Sequence, residues 1–296
     1  MPPMQDPRAP AAAAQPQPQA PAGLAMLRRL PLAGRIGLAI VVFWALVALL
    51  GPAIAPHAVG AMVSQEVFDP ISRQFPLGSD YLGRDVLSRM LLGARYTVGL
   101  ASAAALLASL TGTAAALLAT VGGRVTGELL GRFMDTLISV PSKIFALVMV
   151  AAFGSSVGLL LLTAAVTYVP GAFRIARALA TNIHALEFVQ AARARGEGRF
   201  AIAVREILPN MLATMAADFG LRFMFIVLLL SGLSFLGLGV QPPDADLGSL
   251  VRENLAGLTE AAPAVLVPAL SIASLTIGVN LLIDALSFGG ARTGRD

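Results

Sequence analysis

The segment at residues 144–173 contains no charged residue, and it constrains the fold more than any other part of the chain. As a single α-helix it would extend about 45 Å, whereas the hydrocarbon core of a bilayer is about 30 Å thick. The segment is therefore too long for one membrane span and too short for two. The GSSVG sequence at residues 154–158 favours a tight turn. We predict two spans that extend outward from this turn, at residues 136–153 and 157–179.

The composition supports a membrane protein and excludes several kinds of site. Hydrophobic residues make up 56% of the chain and charged residues only 13%, whereas soluble domains carry about 25% charged residues. There is no cysteine, so disulfides and thiol chemistry are excluded, and two histidines do not favour a histidine metal site. The only lysine, Lys143, lies in VPSKIF, so the chain lacks a phosphate-binding P-loop.

Four further apolar segments complete a prediction of six transmembrane helices. We place spans at residues 35–56, 96–121, 211–238 and 262–286, and interpret residues 1–34 as a disordered tail rich in proline and alanine. The first span could instead be a signal peptide, but it is longer than a usual signal core. Residues 57–95 are predicted to form a polar outer loop with an amphipathic helix, capped at Ser79 or Asp80, that carries Asp85 and Arg89 on one face. Residues 96–296 then form a five-span core that includes a polar loop at residues 180–210.

The distribution of basic residues predicts the orientation. With the N-terminus inside, the inner segments carry about fifteen arginines and lysines and the outer loops about five. Basic residues are enriched in the cytoplasmic loops of membrane proteins. Both termini and the loop at residues 180–210 are therefore predicted to be cytoplasmic.

That loop contains an unusually polar sequence, FVQAARARGEGRFAIAVREILPN, at residues 188–210. Helical spacing places Phe188, Ala191, Ala192 and Arg195 on one face, where small side chains would allow another surface to approach closely. Gly196 is predicted to end this helix, and Pro209 to mark the start of the fifth span. An alternative is an amphipathic helix that rests on lipid headgroups.

The sequence QAARARG, followed by ten residues and then ILPN, resembles the EAA loop of permease subunits of ABC importers. Four other stretches, in the same order as in that family, resemble its dipeptide, oligopeptide and nickel branch. They are FPLGSDYLGRDVLSRMLLGAR, MDTLISVPS, LSFLGLGVQPPDADLGSL and NLLIDAL. Two positions depart from the family pattern: Gln190 replaces the usual glutamate, and Leu247 stands where tryptophan is common. The resemblance covers the chain from about residue 75 to its end.

The resemblance implies an all-α permease with a coupling helix between spans 4 and 5 that seats in a cleft of a cytoplasmic ATPase subunit. The implied partners are a second permease subunit, two ABC ATPase subunits and an extracytoplasmic solute-binding protein, in a bacterial inner membrane and without nucleic acid. The chain itself would bind no cofactor and catalyse no reaction, with ATP and Mg on the partner subunits. The implied cargo is a di- or oligopeptide, or another small solute such as nickel. The implied ATPase-binding residues are Gln190, Ala191, Ala192, Arg193, Arg195, Gly196, Glu197, Arg199, Ile207, Leu208 and Pro209.

Asp218 and Arg222 are the remaining candidate functional residues. They are four residues apart in a predicted span, so they share a helix face. Charges within spans are costly and usually face a cavity or a partner, which favours a role in the translocation path or a subunit contact. The alternative is a self-neutralising pair. Two other functions fit an apolar chain: an ATP-independent secondary transporter or channel, and a scaffolding protein. A secondary transporter would be expected to carry more charged groups in its spans.

Overall fold

The computed structural model describes residues 30–260 and 262–292. Most of the predicted disordered tail therefore lies outside the described residues. The first helix begins at Leu32, three residues earlier than the predicted span. The described residues form helices and loops with two isolated β-bridges and no longer strand, which confirms the all-α prediction.

We number the helices in chain order. They are α1 (Leu32–Ile54), α2 (Val86–Val121), α3 (Arg124–Ile138), α4 (Ser142–Phe153), α5 (Val157–His184), α6 (Glu187–Ala194), α7 (Arg199–Phe235), α8 (Leu247–Glu253) and α9 (Pro263–Arg292). A 3₁₀ turn at Leu255–Glu260 joins α8 to the segment before α9.

Five helices among the described residues are long and apolar enough to cross a membrane, and the α3–α4 pair makes a sixth span if it is counted as one. The two helices of that pair are bent by 78°. The prediction of one straight helix at residues 136–153 is therefore wrong. Pro141 explains the break, because its ring restricts the preceding residue to extended conformations and it has no N–H to donate. The predicted turn at Gly154 is confirmed, with a φ of 93° there and Ser156 capping α5.

The second span differs most from its prediction. Helix α2 is continuous over 36 residues from Val86, so residues 86–95 are its first turns and not a separate amphipathic helix. Its cap is Asp85, whose carboxylate accepts hydrogen bonds from the backbone N–H groups of Leu87 and Ser88. Neither Ser79 nor Asp80 caps it. Most of residues 86–95 are buried with the rest of α2, including the polar Ser88 and Arg89, so this stretch does not lie on a surface.

Small residues allow the helices to approach one another closely. Helix α2 buries a row of alanines that includes Ala101, Ala104 and Ala108, each with no exposed surface. Gly112 of α2 faces Ala172 of α5 so closely that an added Cβ would lie 2.5 Å from the Ala172 Cβ. Membrane helices pack through small residues because lipid offers no hydrophobic driving force for their association.

The elements between the spans gather at two opposite ends of the bundle. The loop at residues 55–85 lies with α8 at one end, where the backbone N–H of Tyr81 donates to Asn254. We call this the α8 end. Helix α6 lies at the other, the α6 end, together with the C-terminal ends of α2 and α5, since Arg199 donates to the carbonyl of Gly122.

Asp246 organises the chain at the α8 end. Its carboxylate caps α8 through the N–H groups of Gly248 and Ser249 and also accepts from the Ser234 hydroxyl at 2.6 Å. The residue is 6% exposed. Burial raises the pKa of the Asp246 carboxyl, although its hydrogen bonds oppose that shift.

Candidate functional site

Helix α6 lies across the end of the bundle with one side packed and the other open. Val189 and Ala192 are 1% and 0% exposed, whereas Phe188 is 41% exposed and Gln190 and Ala191 are also exposed. Glu187 in the first turn and Arg193 in the last complement the helix dipole. The helix therefore presents a free face that combines one aromatic ring, one amide and a small side chain.

The predicted face of α6 is partly wrong. Ala192 was expected beside Phe188, Ala191 and Arg195, but it points into the protein, while the other three are exposed. The larger Val189, three residues before Ala192, sets the buried side, since residues three apart share a helix face. The exposed face of α6 is therefore narrower than predicted, because it does not include Ala192.

The packed side of α6 belongs to one apolar cluster that joins four spans. Val189 and Ala192 contact a cluster to which α2, α3, α5 and α7 all contribute. Displacement of α6 must therefore displace the ends of those helices, because close-packed interiors transmit strain. The other buried members are Ala116, Leu117, Ala119, Met134, Phe173, Ala176, Ala180, Ile202, Ala203, Ile207, Met211 and Met215.

Gly196 ends α6, as predicted. Its φ is 84°, in the left-handed region that favours glycine, and its N–H donates to the carbonyl of Arg193. Beyond this turn, Arg195 pairs with Glu197 at 2.7 Å on the surface. The chain then turns back into helix at Arg199.

The fifth span begins earlier than Pro209, which corrects the predicted boundary at residue 211. Helix α7 runs from Arg199 and contains a π-helical stretch at Ile202–Ile207. Pro209 would clash with the carbonyl four residues earlier in a regular α-helix. The wider π turn immediately before it accommodates the ring. Ile207 is fully buried there, Leu208 is half-buried and Pro209 is exposed.

A polar cleft of about 550 Å³ separates α6 from the end of α2. Arg193, Glu197 and Arg199 line it from the α6 side, and His184 lines it from the end of α5. The Arg193 guanidinium lies 2.7 Å from His184 Nε2, and the side-chain amide of Gln190 donates to the His184 carbonyl at 3.4 Å. A glutamate at position 190 could not donate this bond. Gln190 therefore contacts the chain's own helix end.

Asp218 and Arg222 form a buried ion pair in the middle of α7. The guanidinium donates to both carboxylate oxygens, at 2.7 and 2.9 Å, and the residues are 7% and 5% exposed. Arg222 also donates to the carbonyl of Tyr168 in α5 at 2.9 Å. Gly171 allows this approach, since an added Cβ would lie 2.9 Å from Arg222 Nη1. The role of the pair in the path or in a subunit contact stays a prediction.

A cavity of about 430 Å³ lies beside the break between α3 and α4. Its lining residues include Tyr168 and three residues with hydroxyl groups, Thr136, Ser142 and Thr167. Asp218 and Arg222 do not line it, but Arg222 donates to the backbone carbonyl of Tyr168. Arg222 thus contacts two residues that line the cavity, Tyr168 and Gly171.

Sequence reasoning missed a buried charge cluster at the α8 end. Arg84 and Arg89 each pair with both Asp80 and Glu253, at 2.7–3.0 Å. Burial by itself lowers the pKa of Arg84, but the pairs with Asp80 and Glu253 outweigh it and raise that pKa overall. The cluster fastens the loop at residues 55–85 to α8. Its partners are 164 and 169 residues apart, so no local pattern indicates them.

No group of three or more histidine, aspartate or glutamate side chains suited to a metal ion occurs in the part of the chain that the structure describes. The geometry thus offers a surface helix tied to four spans, a cavity at a broken span and a loop at residues 55–85 that is fastened to α8 by ion pairs.

Comparison with known proteins identifies relatives along most of the chain. Residues 108–289 match the family model described as binding-protein-dependent transport system inner membrane component. A putative peptide transport system permease protein of Brucella suis is 31% identical over 85% of each chain. A dipeptide transport system permease protein of Haemophilus influenzae is 29% identical over 85% of this chain and 87% of its own. A glutathione transport system permease protein of Pectobacterium atrosepticum is 30% identical over 71% and 70%.

Proposed function

The chain belongs to the family of binding-protein-dependent transport system inner membrane components, and we propose that it moves di- or oligopeptides into the cytoplasm by alternating access driven by a partner ATPase. It is a multi-pass permease subunit of an ABC importer, of the peptide branch that its sequence resembles. The names of its relatives support a peptide cargo over nickel.

The single observation that carries the mechanism is the position of α6. One side of this helix is buried in a cluster shared by α2, α3, α5 and α7, and the other side is free. A partner that seats on the free side can therefore move four spans together. Rigid-body movement of this kind is a recognised route to alternating access.

We assign the free side of α6 to an ATPase subunit in the cytoplasm. Phe188 would enter its cleft, while Ala191 permits close approach and Arg195 and Arg199 lie at the margin. The α6 end is then cytoplasmic and the α8 end faces the solute-binding protein. The complete importer would contain this chain, a second permease and two ATPase subunits, with ATP and Mg bound by the ATPases and no cofactor on this chain.

The test is co-purification with the ATPase together with uptake in reconstituted vesicles. Phe188→Asp should abolish both ATPase binding and ATP-driven uptake of trialanine, because it places a charge in an apolar contact. The Phe188 side chain is exposed, so the variant should fold. Arg124→Gln is the matched control, since Arg124 is exposed near the same end and, within the part of the chain that the structure describes, pairs only with Glu128.

Full uptake by vesicles that contain no ATPase would contradict the proposal and support an ATP-independent transporter. Loss of ATPase binding in Arg124→Gln as well would mean that α6 is not the specific contact. A scaffolding protein would tolerate both variants without any change in uptake.

A further inference from the structure

The broken span between α3 and α4 borders a cleft made of two cavities. The first is the cavity of about 430 Å³ described above, and the second, of about 390 Å³, lies toward the α6 end. They share two lining residues, Ile138 and Arg174. Arg174 thus stands where the two cavities meet, on the wall formed by α5.

The charge of Arg174 is only weakly compensated. Its guanidinium lies 3.4 Å from Asp135 of α3, and the two side chains are 65% and 70% exposed. Ion pairs this long and this exposed contribute little, so another carboxylate can replace Asp135. One turn further along α5, Arg177 lies over the ring of Phe173 at 5.6 Å, and no carboxylate among the described residues pairs with it. The cleft is therefore electropositive whenever Asp135 moves away.

The polar groups on the first cavity suit a ligand with N–H donors. The hydroxyls of Thr136 and Thr167 donate to carbonyls of their own helices, which leaves their oxygen lone pairs free to accept. Ser142 lines the same cavity, and its hydroxyl makes no hydrogen bond to another of the described residues. A guanidinium with nearby acceptor oxygens matches a peptide's carboxylate with its adjacent amide.

The section of α5 that carries Arg174 is fixed by hydrogen bonds to α7. Arg222 donates to the Tyr168 carbonyl at 2.9 Å, and the Tyr168 hydroxyl donates to the Phe225 carbonyl at 3.2 Å. Both contacts tie α5 to α7 within two turns of Arg174. The guanidinium therefore projects from a braced section of helix, and the buried pair on α7 acts as a positioning element.

We propose that Arg174 binds the carboxylate of the solute in this cleft, in exchange for Asp135, and so forms a subsite on the path through the permease. This inference rests on the proposed import of peptides and adds a residue that selects for a free carboxylate. A single exposed guanidinium binds weakly, which suits a transit site that must also release its ligand.

The experiment compares trialanine with trialanine amide, which lacks the terminal carboxylate. Saturation-transfer NMR on the full-length chain in nanodiscs measures weak binding without the solute-binding protein. We expect trialanine to bind the wild type more tightly than the amide does, by about threefold or more, since a charge-assisted bond is lost. Arg174→Gln should abolish that preference, whereas Asp135→Asn should keep or increase trialanine binding.

Arg132→Gln is the control, because Arg132 is exposed on α3 and lines neither cavity. Equal binding of acid and amide to the wild type would overturn the proposal even if Arg174→Gln failed to fold. So would an equal loss of preference in Arg132→Gln. Lack of ATP-driven trialanine uptake by the wild-type importer would instead contradict the proposed function, whatever the NMR result.

Discussion

The guanidinium of Arg222 donates hydrogen bonds to both carboxylate oxygens of Asp218, one turn away on the same helix, at 2.7 and 2.9 Å. Its third contact, with the Tyr168 carbonyl, crosses to α5. The pair is therefore neutral as a unit and also joins two spans. Removal of one partner leaves the other charge buried and uncompensated.

We expect Asp218→Asn and Arg222→Gln each to destabilise the protein by about 3 kcal/mol, the usual cost of an unpaired buried charge. The double variant should lose less than the sum of the two, because it buries no charge. Thermal unfolding of the three variants in detergent gives these differences. Arg205→Gln, an exposed arginine on the same helix, serves as the control.

The same variants test the role of the pair in transport. Each single variant should impair uptake, since the wall of the cleft loses its brace. Normal uptake by the double variant would remove the pair from the mechanism and leave it a purely structural role.

The sequence predicted the order of the spans, and their number if the bent α3–α4 pair counts as one, because most of them are long apolar segments with polar flanks. It did not predict the break at Pro141 or the continuity of α2 through residues 86–95. In both places the local signals were ambiguous: a proline can begin a helix as well as interrupt one, and charged residues usually mark a surface. Arg84 and Arg89 are buried because Asp80 and Glu253 neutralise them, and Glu253 is distant in sequence.

The buried charge cluster at the α8 end leads to a third prediction. Glu253→Gln should free the loop at residues 55–85 from α8, because Arg84 and Arg89 would then share Asp80 alone. We expect amide hydrogen exchange in the loop to accelerate by about tenfold or more, as a buried ion pair is broken. Glu66→Gln is a suitable control, since Glu66 is an exposed carboxylate in the same loop. Unchanged exchange in Glu253→Gln would show that other contacts hold the loop.

Stability should also depend on pH through Asp246. Burial raises the pKa of this carboxyl in the folded protein above its ordinary value of 3.8. Between the ordinary pKa of the unfolded chain and the raised pKa of the folded protein, the folded protein binds more protons than the unfolded chain. Its contribution to stability therefore decreases as the pH rises through that window. We expect the melting temperature of the wild type, minus that of Asp246→Asn, to fall as the pH increases from about 4. A difference that grows with pH would mean that the hydrogen bonds to Asp246 outweigh its burial.

Some parts of the candidate site could be predicted from the sequence and others could not. The turn at Gly196 followed from glycine itself, and the polar insert between apolar segments was visible at once. The buried side of α6 was misassigned at Ala192 because a helix of eight residues gives little periodicity. The sequence did not single out Arg174, because Asp135 is 39 residues away in the chain and meets it only when α3 folds against α5.

Two glycines of α2 provide the last prediction, because they differ only in what surrounds them. A Cβ at Gly112 would lie 2.5 Å from the Ala172 Cβ and 2.9 Å from the backbone of Phe173, whereas a Cβ at Gly99 would meet nothing within 4 Å. Alanine favours a helix over glycine by about 1 kcal/mol, and this gain applies at both positions. Gly99→Ala should therefore leave the melting temperature equal or higher. Gly112→Ala should lower it, since α2 and α5 must separate and overpacking of this kind costs about 1–3 kcal/mol. If both substitutions stabilise the protein, α2 and α5 are not packed as closely as the structure describes.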